Sequence, residues 1–361
     1  MIPVMLSDIT QNSQLKSTTV NKTYRIPALD FTKGALVLVM VLYHWLNYFI
    51  ATEGDFYRYL GFVTPSFIFI TGFLISNAYL SKYEISDWQL PKRLIQRGLK
   101  LLVVFIVLNV VISFLIRESY SGKILFDPLS FKNTIAIYVT GNTSVRGIGK
   151  AAVFHILVPI SYLLLLSAGL SIVYRFYKYI FHVVCMVFLL CVLILDLNGL
   201  ESVNLDLLTI GLLGVLIGYV PIEKINNVVR HPYILAGAYL CYISAITVWN
   251  IVYPLQVVGV CLSVMLIYLL GAKNGELGRV RRHIVLLGKY SLFGYLTQIA
   301  VLQFIYRGLQ QINLQHTNLS AGALGITLFG AVALTLLIVE AIDRARARST
   351  TMDGLYKAVF A

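Results

Sequence analysis

Lys33 and His44 stand eleven positions apart in the apolar run RIPALDFTKGALVLVMVLYHWLNY, residues 25–48. On a helix, eleven steps of about 100° return a side chain to within about 20° of its starting direction. A rise of about 1.5 Å per residue separates the two by roughly 16 Å. A cation and an imidazole therefore share one face at two depths of a membrane-length helix. Ionisable groups are costly inside a bilayer, so their presence points to function. Imidazole changes its protonation near neutral pH, which suits His44 to take a proton from an attacking hydroxyl or amine. As a nucleophile it could also be acylated itself. Asn47 lies one turn further along nearly the same face, placed to orient a reactant or hold a developing oxyanion. His155 falls at a similar depth near the outer end of another apolar segment. Towards the opposite surface are Arg25, Lys33, Arg93, Arg97 and Lys100, cations of the kind that hold phosphates. Each has a plainer reading. Lys33 is within reach of Asp30 one turn back, and Arg93, Arg97 and Lys100 match ordinary anchors at a membrane surface.

The elements that must position these residues are apolar spans. The chain of 361 residues is 58% hydrophobic and only 12% charged, with a mean hydropathy of +0.80. A soluble domain carries roughly twice that charged fraction. Ten segments are long enough to cross a hydrocarbon core of about 30 Å. They run over 28–50, 60–80, 99–116, 151–173, 179–196, 205–221, 232–252, 254–271, 284–306 and 319–341. The fold expected is an all-α integral membrane protein of about ten transmembrane helices.

The net charge of +13 does not indicate nucleic acid. Of the 29 Lys and Arg residues, 21 fall in the segments on the N-terminal side of such a bundle, 7 on the other side, and Lys33 within the span. That bias follows the positive-inside rule and puts both termini in the cytoplasm. Residues 1–20 show no basic, apolar leader of the kind that is cleaved, so the first span is expected to act as the insertion signal. The chain divides into a mobile cytoplasmic arm (1–22), a ten-helix domain (23–345) with an outer loop at 117–150, and a cytoplasmic tail (346–361). A loop of that length suggests a role in selecting a substrate. The four cysteines, Cys185, Cys191, Cys241 and Cys261, lie inside apolar spans without C-x-x-C spacing, so no metal site is expected.

The run Arg25, Asp30, Lys33, Gly34, His44 resembles the opening of the membrane-bound acyltransferase-3 superfamily. Its usual form is an Arg, then L-D-x-x-R-G, then a His eleven residues after the last basic residue. FVTPSFIFITGFLIS (62–76) is similar to that family's second helix, and its Pro-x-Phe to the related heparan-glucosaminide N-acetyltransferase-like branch. KRLIQRGLK (92–100) resembles the basic start of the third helix, and LGKYSLFGYLTQ (287–298) a late helix of the form LGxxSLxxYLxH. Lys33 stands where Arg is commoner, and Gln298 where many members carry His. FHILVPISYLL (154–164) occupies the place of a mid-chain Trp-Phe-Leu segment.

The resemblance implies an acyl-CoA donor, usually acetyl-CoA, on the cytoplasmic side and a carbohydrate acceptor on the outer side. It implies that His44 matches the catalytic histidine, and Arg25 and Lys33 the basic pair. The expectation is a multi-pass acyltransferase of the bacterial inner membrane, partnered by acyl-CoA, an extracytoplasmic glycan and lipid. The residues leave open O- against N-acylation, direct transfer against an acyl-histidine intermediate, and the oligomeric state. A secondary transporter or a translocator of glycans or lipids is the alternative. Transporters commonly show related halves with paired broken helices, and the chain has no internal repeat.

Overall fold

The computed structural model describes residues 26–50, 56–80, 88–116, 136–141, 154–229, 231–249, 252–272, 278–311 and 320–360. Among these residues the only regular structure is helical. In chain order the helices are α1 (Pro27–Phe49), α2 (Tyr57–Leu60), α3 (Val63–Leu74), α4 (Gln89–Ile116), α5 (Leu157–Val173), α6 (Ile180–Leu197), α7 (Val203–Ile217) and α8 (Ile222–Val229). They continue with α9 (Pro232–Val248), α10 (Tyr253–Ala272), α11 (Arg279–Lys289), α12 (Ser291–Gln311), α13 (Ala321–Arg348) and α14 (Thr350–Phe360). Within the described residues, every apolar segment of the sequence falls on a helix or a consecutive pair of helices.

Their lengths differ more than the sequence suggests. Among the described residues, six helical stretches are long and apolar enough to cross a membrane: α1, α2 with α3, α4, α6, α10 and α13. A seventh is the pair α11–α12, bent by 98°. Helices α5, α7 and α9 have 17, 15 and 17 residues, about 23–26 Å at 1.5 Å per residue. That falls short of a core of about 30 Å, so among the described residues length and composition mark six or seven helices as full spans.

The bundle core is built on glycine crossings. Pro27 sits in the first turn of α1, where its missing N–H costs nothing. One turn on, α1 meets α11 backbone to backbone. A Cβ on Gly34 would collide with the Ile284 carbonyl, and one on Gly288 with the Asp30 carbonyl. Helices α3 and α7 meet in the same way, with Gly72 against Gly211 and Gly214 against Phe69. Without a hydrophobic drive between helices in lipid, close backbone approach of this kind supplies much of the packing. Leu36, Val37, Met40 and Val41 on α1 are buried, as are Ile68 and Ile70 on α3 and Leu163 on α5. By contrast α4 turns Leu99, Val103, Ile106, Val107 and Val110 outward, as a lipid-facing helix does.

Part of the 117–150 loop falls within the described residues. Residues 136–139 form one helical turn. Asn204 Nδ2 donates to the carbonyls of Ile137 (2.9 Å) and Tyr138 (3.0 Å), pinning this turn to α7. Gly141 leaves it at φ +72°, where a Cβ would strike the Asn204 side chain.

Candidate active site

A cavity of about 250 Å³ runs along the buried face of α1. Its walls come from six helices, α14 (Val359 and Phe360) among them, and from the residues that follow α3. Lys33 and Met40 belong to α1, Thr71 to α3, Arg97 and Lys100 to α4, Ile160 to α5, and Ser291 and Tyr295 to α12. Seven residues separate Lys33 from Met40, so the cavity follows α1 for about 10 Å. One end holds three cations and the other is apolar, closed by Met40, Ile156 and Leu157.

The cations are held in place by their neighbours. Lys33 Nζ pairs with Asp30 Oδ1 at 2.6 Å, and both side chains are largely shielded. Asp30 and Gly34 flank Lys33 at the crossing with Gly288, which fixes the direction of this pair. Arg97 packs over the Tyr79 ring, 5.3 Å from its centroid, and donates to the Tyr79 hydroxyl. Tyr79 reaches it because residues Ile75–Leu80 wind as a π-helix at the end of α3. Such widened turns recur at functional sites. Here the turn is anchored by Ser76 Oγ donating to Val215 O (2.7 Å). Lys100 Nζ donates to the Lys357 carbonyl at 3.1 Å. Neighbouring α4 and α5 are joined by Ser161 Oγ donating to Gly98 O (2.7 Å), which sets Arg97 and Lys100 against the cavity.

His44 stands one helical turn beyond Met40, on the same side of α1. It is half-buried, its ring 5.4 Å from that of Tyr43. Three residues further, Asn47 has a buried amide oxygen with no hydrogen-bond partner among the described residues. The cavity thus covers about 10 of the roughly 16 Å between Lys33 and His44 and stops one turn short of the imidazole.

His155 is placed differently from the expectation. It lies in the turn that precedes α5 rather than four residues inside a helix. The helix starts only at Leu157, and Pro159 falls in its first turn, where its ring and missing N–H are tolerated. His155 is half-buried between Phe154 and Ile156, both buried, and Ile156 lines the apolar end of the cavity. Arg93 shares the α4 face of Arg97 and Lys100 in the sequence, but it is exposed and is not part of the cavity wall. Arg25 lies outside the described residues.

Several wall residues carry no signal that spacing would reveal. Tyr79 depends on the π-turn, and Val359 and Phe360 come from α14, at the far end of the chain. Tyr295, in the LGKYSLFGYLTQ run, packs edge-on against Phe154 at 6.2 Å. One turn beyond Tyr295, Gln298 is fully buried, and neither of its amide atoms has a hydrogen-bond partner among the described residues.

No curated protein and no solved structure matches the chain. A family model does: the acyltransferase domain of the acyltransferase-3 type matches residues 26–340, from the start of α1 to within α13. With a match over most of its length and a set of apolar spans, the chain belongs to the acyltransferase-3 family of multi-pass membrane acyltransferases.

Proposed function

We propose that the protein moves an acyl group, most simply acetyl, from cytoplasmic acyl-CoA to a hydroxyl or amine of an extracytoplasmic carbohydrate. Arg97, Lys100 and Lys33 bind the donor's phosphates, with Arg25 at the same end of α1. The pantetheine arm follows the cavity towards Met40 and brings the thioester up to His44. The imidazole of His44 takes the proton from the acceptor hydroxyl or amine as its oxygen or nitrogen attacks the thioester carbonyl. The carbon–sulfur bond then breaks, and the leaving thiolate receives the proton back from the imidazolium. Asn47 and His155 orient the acceptor, and the Asn47 amide donates to the oxyanion that forms in between. The outer loop, 117–150, contributes to acceptor choice. The charge bias of the loops supports a cation-lined end that faces the cytoplasm, in a protein of the bacterial inner membrane.

The observation that carries this reading is the cavity itself, with cations from two helices at one end and its other end one turn from His44. Its volume of about 250 Å³ is near the lower bound of about 300 Å³ for small-molecule sites, so it suits an arm rather than a whole donor. The test is incubation of the purified protein with labelled acetyl-CoA and a panel of candidate glycans. Label recovered on a glycan supports the reading. Label on none of them, with the thioester left intact, overturns it.

A further inference from the structure

The cation-lined end of the cavity is covered by part of this same chain. Ser349 breaks α13 with an extended conformation and starts α14, its hydroxyl accepting from Met352 N at 3.3 Å. Helix α14 then folds back across the mouth. Asp353, Tyr356 and Phe360 share one face of it. Arg346 donates to Asp353 Oδ1 through Nε (3.0 Å) and Nη2 (2.6 Å), and Lys357 Nζ holds Asp353 Oδ2 at 2.6 Å. The Tyr356 ring receives the Arg346 guanidinium at 4.0 Å and packs edge-on against Tyr290 at 5.2 Å. Phe293 packs edge-on against Phe360 at 5.6 Å. At its end, Val359 and Phe360 form part of the cavity wall, and the Lys357 carbonyl accepts from Lys100. The adjacent stripe of Met352, Leu355 and Val359 is exposed and apolar, as on a helix lying at a membrane surface.

We propose that α14 is a displaceable strap over the cavity mouth, and that an anionic donor must move it to enter. The strap occupies with a backbone carbonyl the same Lys100 ammonium that a phosphate would take, so the two compete. Its hold is local: one carboxylate between two cations and a cluster of aromatic rings, at the end of a helix anchored at Ser349. Release needs no change in the bundle. The competition with acyl-CoA rests on the function proposed above; the covering of the cavity does not.

The test therefore has two arms. In full-length protein with its four cysteines replaced by alanine, Ser291→Cys places a thiol on the cavity wall. It is labelled with a charged, bulky maleimide in detergent. Tyr356→Ala with Phe360→Ala, and separately removal of residues from Thr350 onward, should each speed labelling at least tenfold while leaving the melting temperature of the bundle unchanged. In the second arm the same two variants should lower the KM for acetyl-CoA by threefold or more. Equal labelling rates in all three proteins would overturn the strap, whatever the activity. Faster labelling with a raised KM would overturn the competition and make α14 part of the donor site. Faster labelling in a protein that transfers no acetyl group from acetyl-CoA would leave the strap standing and count against the proposed reaction.

Discussion

Gln298 sits fully buried one turn beyond Tyr295, its amide unpartnered among the described residues. Leaving a buried amide group without a partner costs about 1–3 kcal/mol. Gln298→Leu should therefore melt at the same temperature as the wild type or higher, measured in detergent; a drop of several degrees would mean the amide is tied into the fold. Lys33 gives the opposite expectation. Its ammonium is paired with Asp30 and lines the cavity, so Lys33→Gln removes a charge from the proposed donor site and strands a carboxylate. Combining it with Asp30→Asn removes the stranded charge, and the double variant should fold normally yet show a KM for acyl-CoA raised about tenfold. An unchanged KM would remove Lys33 from the donor site. The pairing of Lys33 with His44 was legible because both belong to one helix, where spacing fixes direction. The sequence puts Lys33, Arg97 and Lys100 at one membrane surface, but their meeting in one cavity depends on how α4 packs against α5 through Ser161 and Gly98. Arg93 illustrates the same limit: one helical face is wider than the strip that lines a cavity.

At the scale of the helix, glycine decides where the site forms. The Lys-Gly pair at 33–34 and the Gly-Lys pair at 288–289 are far apart in the chain, yet Gly34 and Gly288 touch across the α1–α11 crossing. A methyl group at Gly288 would strike the Asp30 carbonyl, and the helices would have to separate. Overpacking of this kind costs about 1–3 kcal/mol, so Gly288→Ala should lower the melting temperature and the activity together. Gly237→Ala is the matched control, because nothing lies within 4 Å of a Cβ there. A stable, active Gly288→Ala protein would dismiss the crossing as the device that aims Lys33. The apolar segments were legible from composition, since spans must be apolar all round. Their exact lengths were not: buried short helices such as α5 and α7 have the same composition as full spans. Neither the bend at Tyr290 nor the fold-back of α14 follows from periodicity. Both depend on contacts between distant segments, such as Tyr290 Oη donating to Asp343 at 2.6 Å and receiving Arg346 at 2.9 Å.

For the whole molecule, the distribution of 21 basic residues against 7 predicts that the cation-lined end of the cavity faces the cytoplasm. Thr350 and Glu201 are both exposed and fall on opposite sides in that arrangement. A cysteine placed at Glu201 should react with an impermeant maleimide in intact cells, and one at Thr350 only after the membrane is opened. The reverse pattern would invert the donor and acceptor sides. Family membership, six or seven full spans among the described residues and the cavity along α1 support the proposal that an acyl group passes through protein rather than through lipid. In the proposed reaction, acceptance of a proton by His44 is the step on which transfer turns. General acid–base groups contribute about 10²–10⁴-fold to rate. The decisive measurement is the turnover of labelled acetyl-CoA onto glycan by purified His44→Ala protein whose melting temperature equals that of the wild type. Transfer should fall at least about a hundredfold; transfer at the wild-type rate would rule out His44 as the base.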